Sequence, residues 1–139
     1  MEGIEDGMAK KEPVFLLGDE GKAIVELIGG VFRRDFTCAG KPMGPLRPTD
    51  TEGAGEKHLP RVHINGNEIC VKVGEVPHPM DEAHSIQWIY LQTEKGSQRR
   101  MLKPGSPAEA TFLVPEDDRA VAVYAYCDLH GFWKTEIDG

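Results

Sequence analysis

The residues in this chain best suited to chemistry are a cysteine and a histidine at the end of an apolar run. Residues 120–127 are rich in alanine, valine and tyrosine, and the run ends on Cys127. His130 follows two residues later, and Gly131 allows a tight turn to close. A thiolate and an imidazole so placed can reach one metal ion. The pair alone is also compatible with a buried thiol beside a surface histidine.

Further histidines extend this pattern. Three of them lie in predicted loops or at strand edges, whereas His63 lies in a run typical of a strand. With the turn they form a set of four ring nitrogens and one sulfur: His58, His78, His84, Cys127 and His130. Structural zinc takes four ligands. Five ligands that include one soft thiolate suit iron better and leave one octahedral position open. From spacing alone, two interpretations remain: a metal site, or separate surface histidines and a small buried thiol.

Composition restricts the class of protein. The chain has 139 residues, of which 40% are hydrophobic and 28% charged, as expected for one soluble core with a small appendage. A net charge of −7 argues against nucleic acid and anionic membranes as partners, although a local positive patch can still attract a small anion. Three cysteines give no disulfide framework, and the acidic N-terminus has no signal-peptide pattern. These features predict a reducing, cytoplasmic environment.

Short apolar runs separated by turn signals predict an all-β chain with no amphipathic helix. We expect a flexible tail over 1–13, a small β-rich unit over 14–46, a linker over 47–55 and a main domain over 56–139. The proline-rich stretch 42–55 contains the predicted domain boundary. Strands are predicted at 69–73, 85–93, 98–102, 108–114 and 120–127, the last of these as the final strand. This order favours an antiparallel β-sandwich, whose end loops can carry a site.

Three motifs contain the candidate ligands: Glu56-Lys57-His58-x-Pro60, then Val73-Gly-Glu-Val-x-His78-Pro79-Met80-x-x-x-His84-x-Ile86-x-Trp88-Ile89, then Cys127-x-x-His130-Gly-x-Trp133. Together they resemble the superoxide reductase family, which includes neelaredoxin and desulfoferrodoxin. The resemblance spans 56–133 and fills every ligand position. It implies a seven-stranded immunoglobulin-like antiparallel sandwich with one mononuclear non-haem iron per chain, alternating between Fe(II) and Fe(III).

The resemblance also implies a role for each residue. Four equatorial ligands and the axial Cys127 would hold the iron; the equatorial ones are His58, His78, His84 and His130. Lys57 would attract superoxide and orient a water that supplies a proton. Glu56 would occupy the sixth position of the resting ferric site. Superoxide would be reduced to hydrogen peroxide, with rubredoxin or a similar one-electron carrier as the donor. His63 matches no ligand position and is assigned a structural or surface role.

The N-terminal unit resembles a desulforedoxin-like domain, in which four cysteines hold a second iron. Segment 37–43 aligns with the last cysteine pair of that domain, but only Cys38 remains, and the earlier pair falls near Leu17 and Glu20. One thiolate cannot hold a tetrathiolate iron. We therefore expect a metal-free remnant that serves packing or the contacts of a homodimer. Cys70 has no counterpart among the ligands and is expected to pack within a strand.

Two other functions are compatible with parts of this pattern. A Cys-x-x-His turn at the end of a sandwich strand resembles half of a blue-copper site, which would make the protein a non-catalytic electron carrier. However, blue copper uses a weak axial methionine, and no methionine follows Trp133. The other alternative is a binding module in which the histidines never converge. Metal analysis distinguishes these possibilities.

Overall fold

The regular structure of this chain is almost entirely β. A computed structural model describes residues 12–29, 36–51, 58–74, 80–81 and 85–137. Within these ranges the helical structure is a single 3-10 turn at Asp19–Gly21. The described part of the chain contains no helix of the length and apolar character needed to cross a membrane. The predicted all-β class is confirmed. The fold divides into two compact units, residues 1–47 and 48–139.

The first unit consists of short antiparallel strands: β1 (Val14–Gly18), β2 (Ala23–Leu27), β3 (Thr37–Cys38), β4 (Lys41–Pro42) and β5 (Gly44–Leu46). β1 lies between β2 and β5, and β3 pairs with β4. Gly18 is closely packed, since an added Cβ would lie 2.9 Å from Met43 Cε and 3.0 Å from Cys38 Cβ. β5 lies within the proline-rich stretch 42–55, where no strand was predicted, and it pairs with β1.

The second unit is a sandwich of two antiparallel sheets. Its seven strands among the described residues are β6 (Pro60–Asn65), β7 (Glu68–Val73), β8 (Ile86–Thr93), β9 (Ser97–Met101), β10 (Glu109–Leu113), β11 (Ala120–Cys127) and β12 (Gly131–Glu136). The strand orders are β10-β7-β6 in one sheet and β12-β11-β8-β9 in the other. The seven-stranded antiparallel architecture implied by the sequence resemblance is therefore confirmed.

β11 is not the final strand of the chain, contrary to our expectation. β12 follows the turn and pairs with β11 along its length, from Cys127 opposite Gly131 to Ala122 opposite Glu136. The apolar pattern of this strand is interrupted by Lys134, which is buried and forms a 3.0 Å ion pair with Glu136. A buried lysine hides the alternation by which a strand is recognised in a sequence.

The core of the sandwich lies between the two sheets, and its side chains come from alternate positions on facing strands. β7 and β10 contribute five of them from one sheet: Ile69, Val71, Val73, Ala110 and Phe112. β8 and β11 contribute six from the other: Ile86, Ile89, Leu91, Val123, Ala125 and Cys127. Cys127 is therefore both a core residue and the last residue of β11, so its sulfur has a rigid support at one end of the sandwich.

Candidate metal centre

The turn between β11 and β12 brings Cys127 and His130 together. Cys127 pairs with Gly131 across the turn, and Gly131 has φ of +91°, a left-handed conformation that glycine adopts without steric cost. On the other side of β11, the pairing with β8 shifts register between Tyr126 and Cys127. Such an irregularity re-aims the side chain that follows it. The resulting distance between Cys127 Sγ and His130 Nδ1 is 3.8 Å.

His58 approaches this turn from a distant part of the chain. Its Nε2 lies 3.0 Å from Nδ1 of His130. The backbone after His58 is held on two sides: Gly74 N donates to Leu59 O at 2.9 Å, and Thr135 Oγ1 donates to Pro60 O at 2.6 Å. The second bond comes from β12, the strand that begins immediately after His130. β12 therefore helps to position both His58 and His130.

These three side chains form a compact donor set. One ligand atom each from His58, Cys127 and His130 can be chosen such that all lie within 4.8 Å of one another. Among the described residues they form the one such group of three or more histidine, cysteine or acidic side chains. Cys127 is completely buried, His58 is half-buried and His130 is exposed. The sulfur thus closes the inner side of the site, and the imidazole of His130 lies at the surface.

The donor set fits a transition-metal ion. A thiolate and two imidazoles are preferred by iron, zinc and copper over magnesium or calcium. The 3.0 Å between the two ring nitrogens and the 3.8 Å between sulfur and Nδ1 of His130 are short enough for one ion to contact all three donors. Without an ion, the distance between the two nitrogens suits a hydrogen bond between the rings.

The groups around Cys127 shift the pKa of its thiol in opposite directions. Burial raises the pKa of the Cys127 thiol above its ordinary value, and the charge of Asp128 acts in the same direction. Hydrogen bonds from the backbone amides of Leu129 and His130 act in the opposite direction on this pKa. A metal that binds the thiolate must displace the thiol proton. The two amides then remain directed at the sulfur and stabilise its negative charge.

Asp128 connects this turn to another part of the site. Its Oδ1 accepts a hydrogen bond from Ser85 N at 3.1 Å, and its own amide donates to Ser85 O at 3.2 Å. Its Oδ2 accepts a longer bond of 3.4 Å from Gln87 Nε2. Ser85 directly follows the predicted ligand His84. Sequence analysis did not identify Asp128, because a carboxylate in a tight turn has no distinctive pattern.

We expect Asp128→Ala to weaken metal binding by about 10- to 100-fold, because the turn loses its link to the segment that follows His84. Asp128→Asn is the matched control, since its amide oxygen can still accept from Ser85 N. Competition between each purified variant and a chelator for Co(II) gives the affinities. Equal affinities for the alanine variant and the original protein would show that the link does not support the site.

Not all of the predicted site residues can be placed. The structure brings together His58, Cys127 and His130, whereas Glu56, Lys57, His78 and His84 lie outside the described residues. The alternative in which the histidines never converge is therefore wrong for His58 and His130.

Of the residues to which sequence analysis gave no ligand role, His63 and Cys70 lie away from the converged side chains, whereas Trp133 contacts them. His63 is exposed on β6, opposite half-buried Cys70 on β7. Cys70 Sγ lies 3.8 Å from the hydroxyl of Thr111 on β10, consistent with the expected packing between strands. Sequence analysis also did not assign a role to Trp133, whose indole stacks on the ring of His58.

The part of this chain that matches a known protein family coincides with the sandwich unit. The family model of desulfoferrodoxin matches residues 50–136. This chain belongs to the desulfoferrodoxin family. A desulfoferrodoxin of Syntrophotalea carbinolica is 40% identical over 129 residues, which cover 93% of this chain and 99% of that protein. A desulfoferrodoxin of Nitratidesulfovibrio vulgaris is 42% identical over 102 residues, covering 73% and 79% respectively. The family resemblance found in the sequence is confirmed.

Solved structures of superoxide reductases have the same fold as this chain. The superoxide reductase of Treponema pallidum superposes with a TM-score of 0.79 at 31% identity, over 90% of this chain and 98% of that one. A superoxide reductase of Giardia intestinalis superposes with a TM-score of 0.53 at 30% identity, over 60% and 99% respectively. The desulfoferrodoxin-family sandwich described above is therefore the superoxide reductase fold.

Proposed function

We propose that this protein is a superoxide reductase that reduces superoxide to hydrogen peroxide at a mononuclear iron held by four imidazoles and one thiolate. The observation that carries the proposal is the convergence of His58, Cys127 and His130 at one end of a sandwich of the superoxide reductase fold. Two nitrogens and a sulfur at these distances supply three of the five proposed ligands.

His78 and His84 complete the proposed ligand set. These two histidines lie in the sequence between Gly74 and Ser85. Gly74 and Ser85 are each hydrogen-bonded to a residue that neighbours one of the converged ligands. Gly74 N donates to the carbonyl of Leu59, next to His58, and Ser85 exchanges backbone and side-chain hydrogen bonds with Asp128. The segment that carries the two histidines thus begins and ends next to residues that flank the converged ligands. This anchoring supports their assignment as the remaining ligands.

Bound iron would supply the one-electron redox change. The side chains would supply the electrostatics and the geometry. Neutral imidazoles with a single thiolate leave a divalent site with a charge of about +1, which attracts an anion such as superoxide. The amides of Leu129 and His130 stabilise the negative charge of the Cys127 sulfur. Exposed His130 marks the solvent side of the site, from which a small anion can enter.

Two residues beside His58 complete the proposal. Lys57 would raise the encounter rate with superoxide and orient a water that delivers a proton, and Glu56 would occupy the sixth position of the resting oxidised site. Each turnover consumes one superoxide, one electron and two protons and forms one hydrogen peroxide. The electron would come from rubredoxin or a similar one-electron carrier. We further propose a cytoplasmic location and a homodimer.

For the N-terminal unit we propose a metal-free remnant of a desulforedoxin-like domain, comprising residues 14–46. Its one cysteine, Cys38, is half-buried on β3. Leu17 lies on β1 and Glu20 in the 3-10 turn, near the positions at which the resemblance would place the missing thiolates. A leucine offers no ligand atom, so this unit lacks the donors of a tetrathiolate site. Packing and dimer contacts remain as its proposed roles.

The test of the proposed function is the stoichiometry of the reaction. The reduced, iron-loaded protein, mixed with superoxide from pulse radiolysis, should form one hydrogen peroxide per superoxide and release no O₂. A dismutase would instead release one O₂ and one peroxide for every two superoxide ions. Metal analysis of the purified protein accompanies this measurement. O₂ release at the dismutase ratio, or copper in place of iron, would exclude the proposed activity.

We expect Lys57→Ala to lower the second-order rate constant with superoxide by about 10-fold and to weaken its dependence on ionic strength. Removing a cation beside the site reduces the electrostatic attraction of the substrate. Lys95→Ala is the matched control: it removes the same charge, but Lys95 pairs with Asp117 beyond the other end of β8. Stopped-flow or pulse-radiolysis kinetics at several salt concentrations measure both effects. An equal loss in the two variants would indicate that only net charge matters.

A further inference from the structure

The indole of Trp133 lies against the ring of His58. The ring centroids are 4.8 Å apart and the two planes differ by 15°, which is a stacked arrangement. His58 also contacts His130, with ring centroids 4.5 Å apart and planes at 65°. The imidazole of His58 is therefore in contact with Trp133 through its face while its Nε2 points at Nδ1 of His130.

The backbone of Trp133 is held firmly on both sides. In β12, Trp133 pairs with Ala125 of β11. On its other side, the backbone of Thr49 bridges to it through two hydrogen bonds, Thr49 N to Phe132 O at 2.9 Å and Lys134 N to Thr49 O at 2.8 Å. Two bonded neighbours restrict the motion of this strand. The indole is therefore attached to a firmly held backbone position beside His58.

Among the described residues, no hydrogen bond accounts for the position of this indole. Its Nε1 is buried and has no hydrogen-bond partner in the part of the chain that the structure describes, whereas the N–H of a buried tryptophan usually finds an acceptor. A phenyl ring would fill most of the same space without burying an unpaired donor. The contact that the indole does make within the candidate site is the stack on His58.

A histidine ligand needs this kind of restraint. Rotation of an imidazole about χ2 is broad and roughly two-fold, so the side chain by itself does not fix the plane of the ring or the direction in which its nitrogens point. Groups around a ligand histidine normally select one orientation, and losing one of them commonly reduces metal affinity by about 10- to 100-fold. A parallel aromatic ring restricts the plane of the imidazole directly.

We infer that Trp133 is a positioning residue that sets the ring plane of His58 and thereby the affinity and coordination geometry of the metal centre. This inference rests on the proposed function only in assigning His58 as a ligand. It adds a residue of β12 to the centre, in addition to the turn that precedes this strand. Trp133 does not contact substrate in this assignment and acts through His58.

Two substitutions separate stacking from other effects of the indole. Trp133→Leu removes the aromatic face, whereas Trp133→Phe keeps a stacking ring and removes the unpaired N–H. With Co(II) added to the metal-free protein, we expect the leucine variant to bind about 10- to 100-fold more weakly than the original protein. The visible absorption bands of its Co(II) form should also change, because the coordination geometry changes. The phenylalanine variant should stay within about threefold in affinity, with the original spectrum.

A double-mutant cycle with His58→Ala tests whether Trp133 acts through His58. In the His58→Ala background, Trp133→Leu should lower the Co(II) affinity by less than about twofold. Thermal unfolding of each metal-free variant checks its fold, and Trp133→Met replaces the leucine variant if that variant does not fold. An original affinity and spectrum in the leucine variant, or an equal loss in both backgrounds, would overturn the inference.

The outcomes also separate this inference from the proposed function. If the original protein binds Co(II) but does not reduce superoxide, the proposed function fails. The double-mutant cycle of His58 and Trp133 then still measures whether Trp133 affects Co(II) binding through His58. If it reduces superoxide and Trp133→Leu leaves both affinity and spectrum unchanged, only the positioning role fails.

Discussion

Cys127→Ser is expected to lower the rate of superoxide reduction by at least about 100-fold. Loss of a residue that only supports a metal ligand commonly costs about 10- to 100-fold, and loss of a ligand itself should cost at least as much. The oxidised iron protein should at the same time lose its thiolate-to-iron absorption band. The substitution would remove the soft, charged donor that the proposed ligand set assigns to the metal, where a thiolate increases electron density. Pulse radiolysis measures the rate, and a visible spectrum measures the band.

The chain itself provides controls for this experiment. Cys38 and Cys70 are also free thiols and are half-buried, but neither belongs to the converged donor set. Cys38→Ser and Cys70→Ser should therefore keep both activity and spectrum. Because Cys127 is fully buried in the core, a serine hydroxyl there also costs stability. Cys127→Ala avoids that cost and should show the same defects. A persistent band in either Cys127 variant would refute the assigned thiolate.

Phe112→Ala is expected to lower the free energy of unfolding by about 3–5 kcal/mol, as is typical when a buried phenylalanine is truncated. Phe112 is 2% exposed, lies in the core between the sheets, and has the guanidinium of Arg100 5.7 Å from its ring centroid. The adjacent residue provides the control: Leu113 is 59% exposed, so Leu113→Ala should change stability by no more than about 0.5 kcal/mol.

Urea unfolding followed by tryptophan fluorescence measures this difference in the metal-free protein. Both tryptophans, Trp88 and Trp133, lie in residues 48–139, so the signal reports on the sandwich unit. Similar losses of stability in the two variants would mean that Phe112 does not face the core and Leu113 does not face solvent as assigned.

The strands of the sandwich were largely predictable, because a half-buried strand alternates apolar and polar side chains. β11 has the predicted bounds, and β7, β8, β9 and β10 lie within about one residue of the predicted ones. β12 was missed, because Lys134 is buried beside an ion-pair partner and against the ring of Tyr124. The strand at 44–46 was missed because its glycine and proline indicate a turn, while pairing with β1 overrides that local preference.

The sequence by itself determined the chemistry of the candidate site, because residue types and short spacings decide which ligand atoms a chain offers. Only the tertiary structure could bring His58 within 3.0 Å of His130, 72 residues away, and place Asp128 on Ser85, 43 residues away. The stack of Trp133 on His58 likewise depends on β12 pairing with β11 and Thr49. Contacts of this kind arise from packing between distant segments, and no local pattern encodes them.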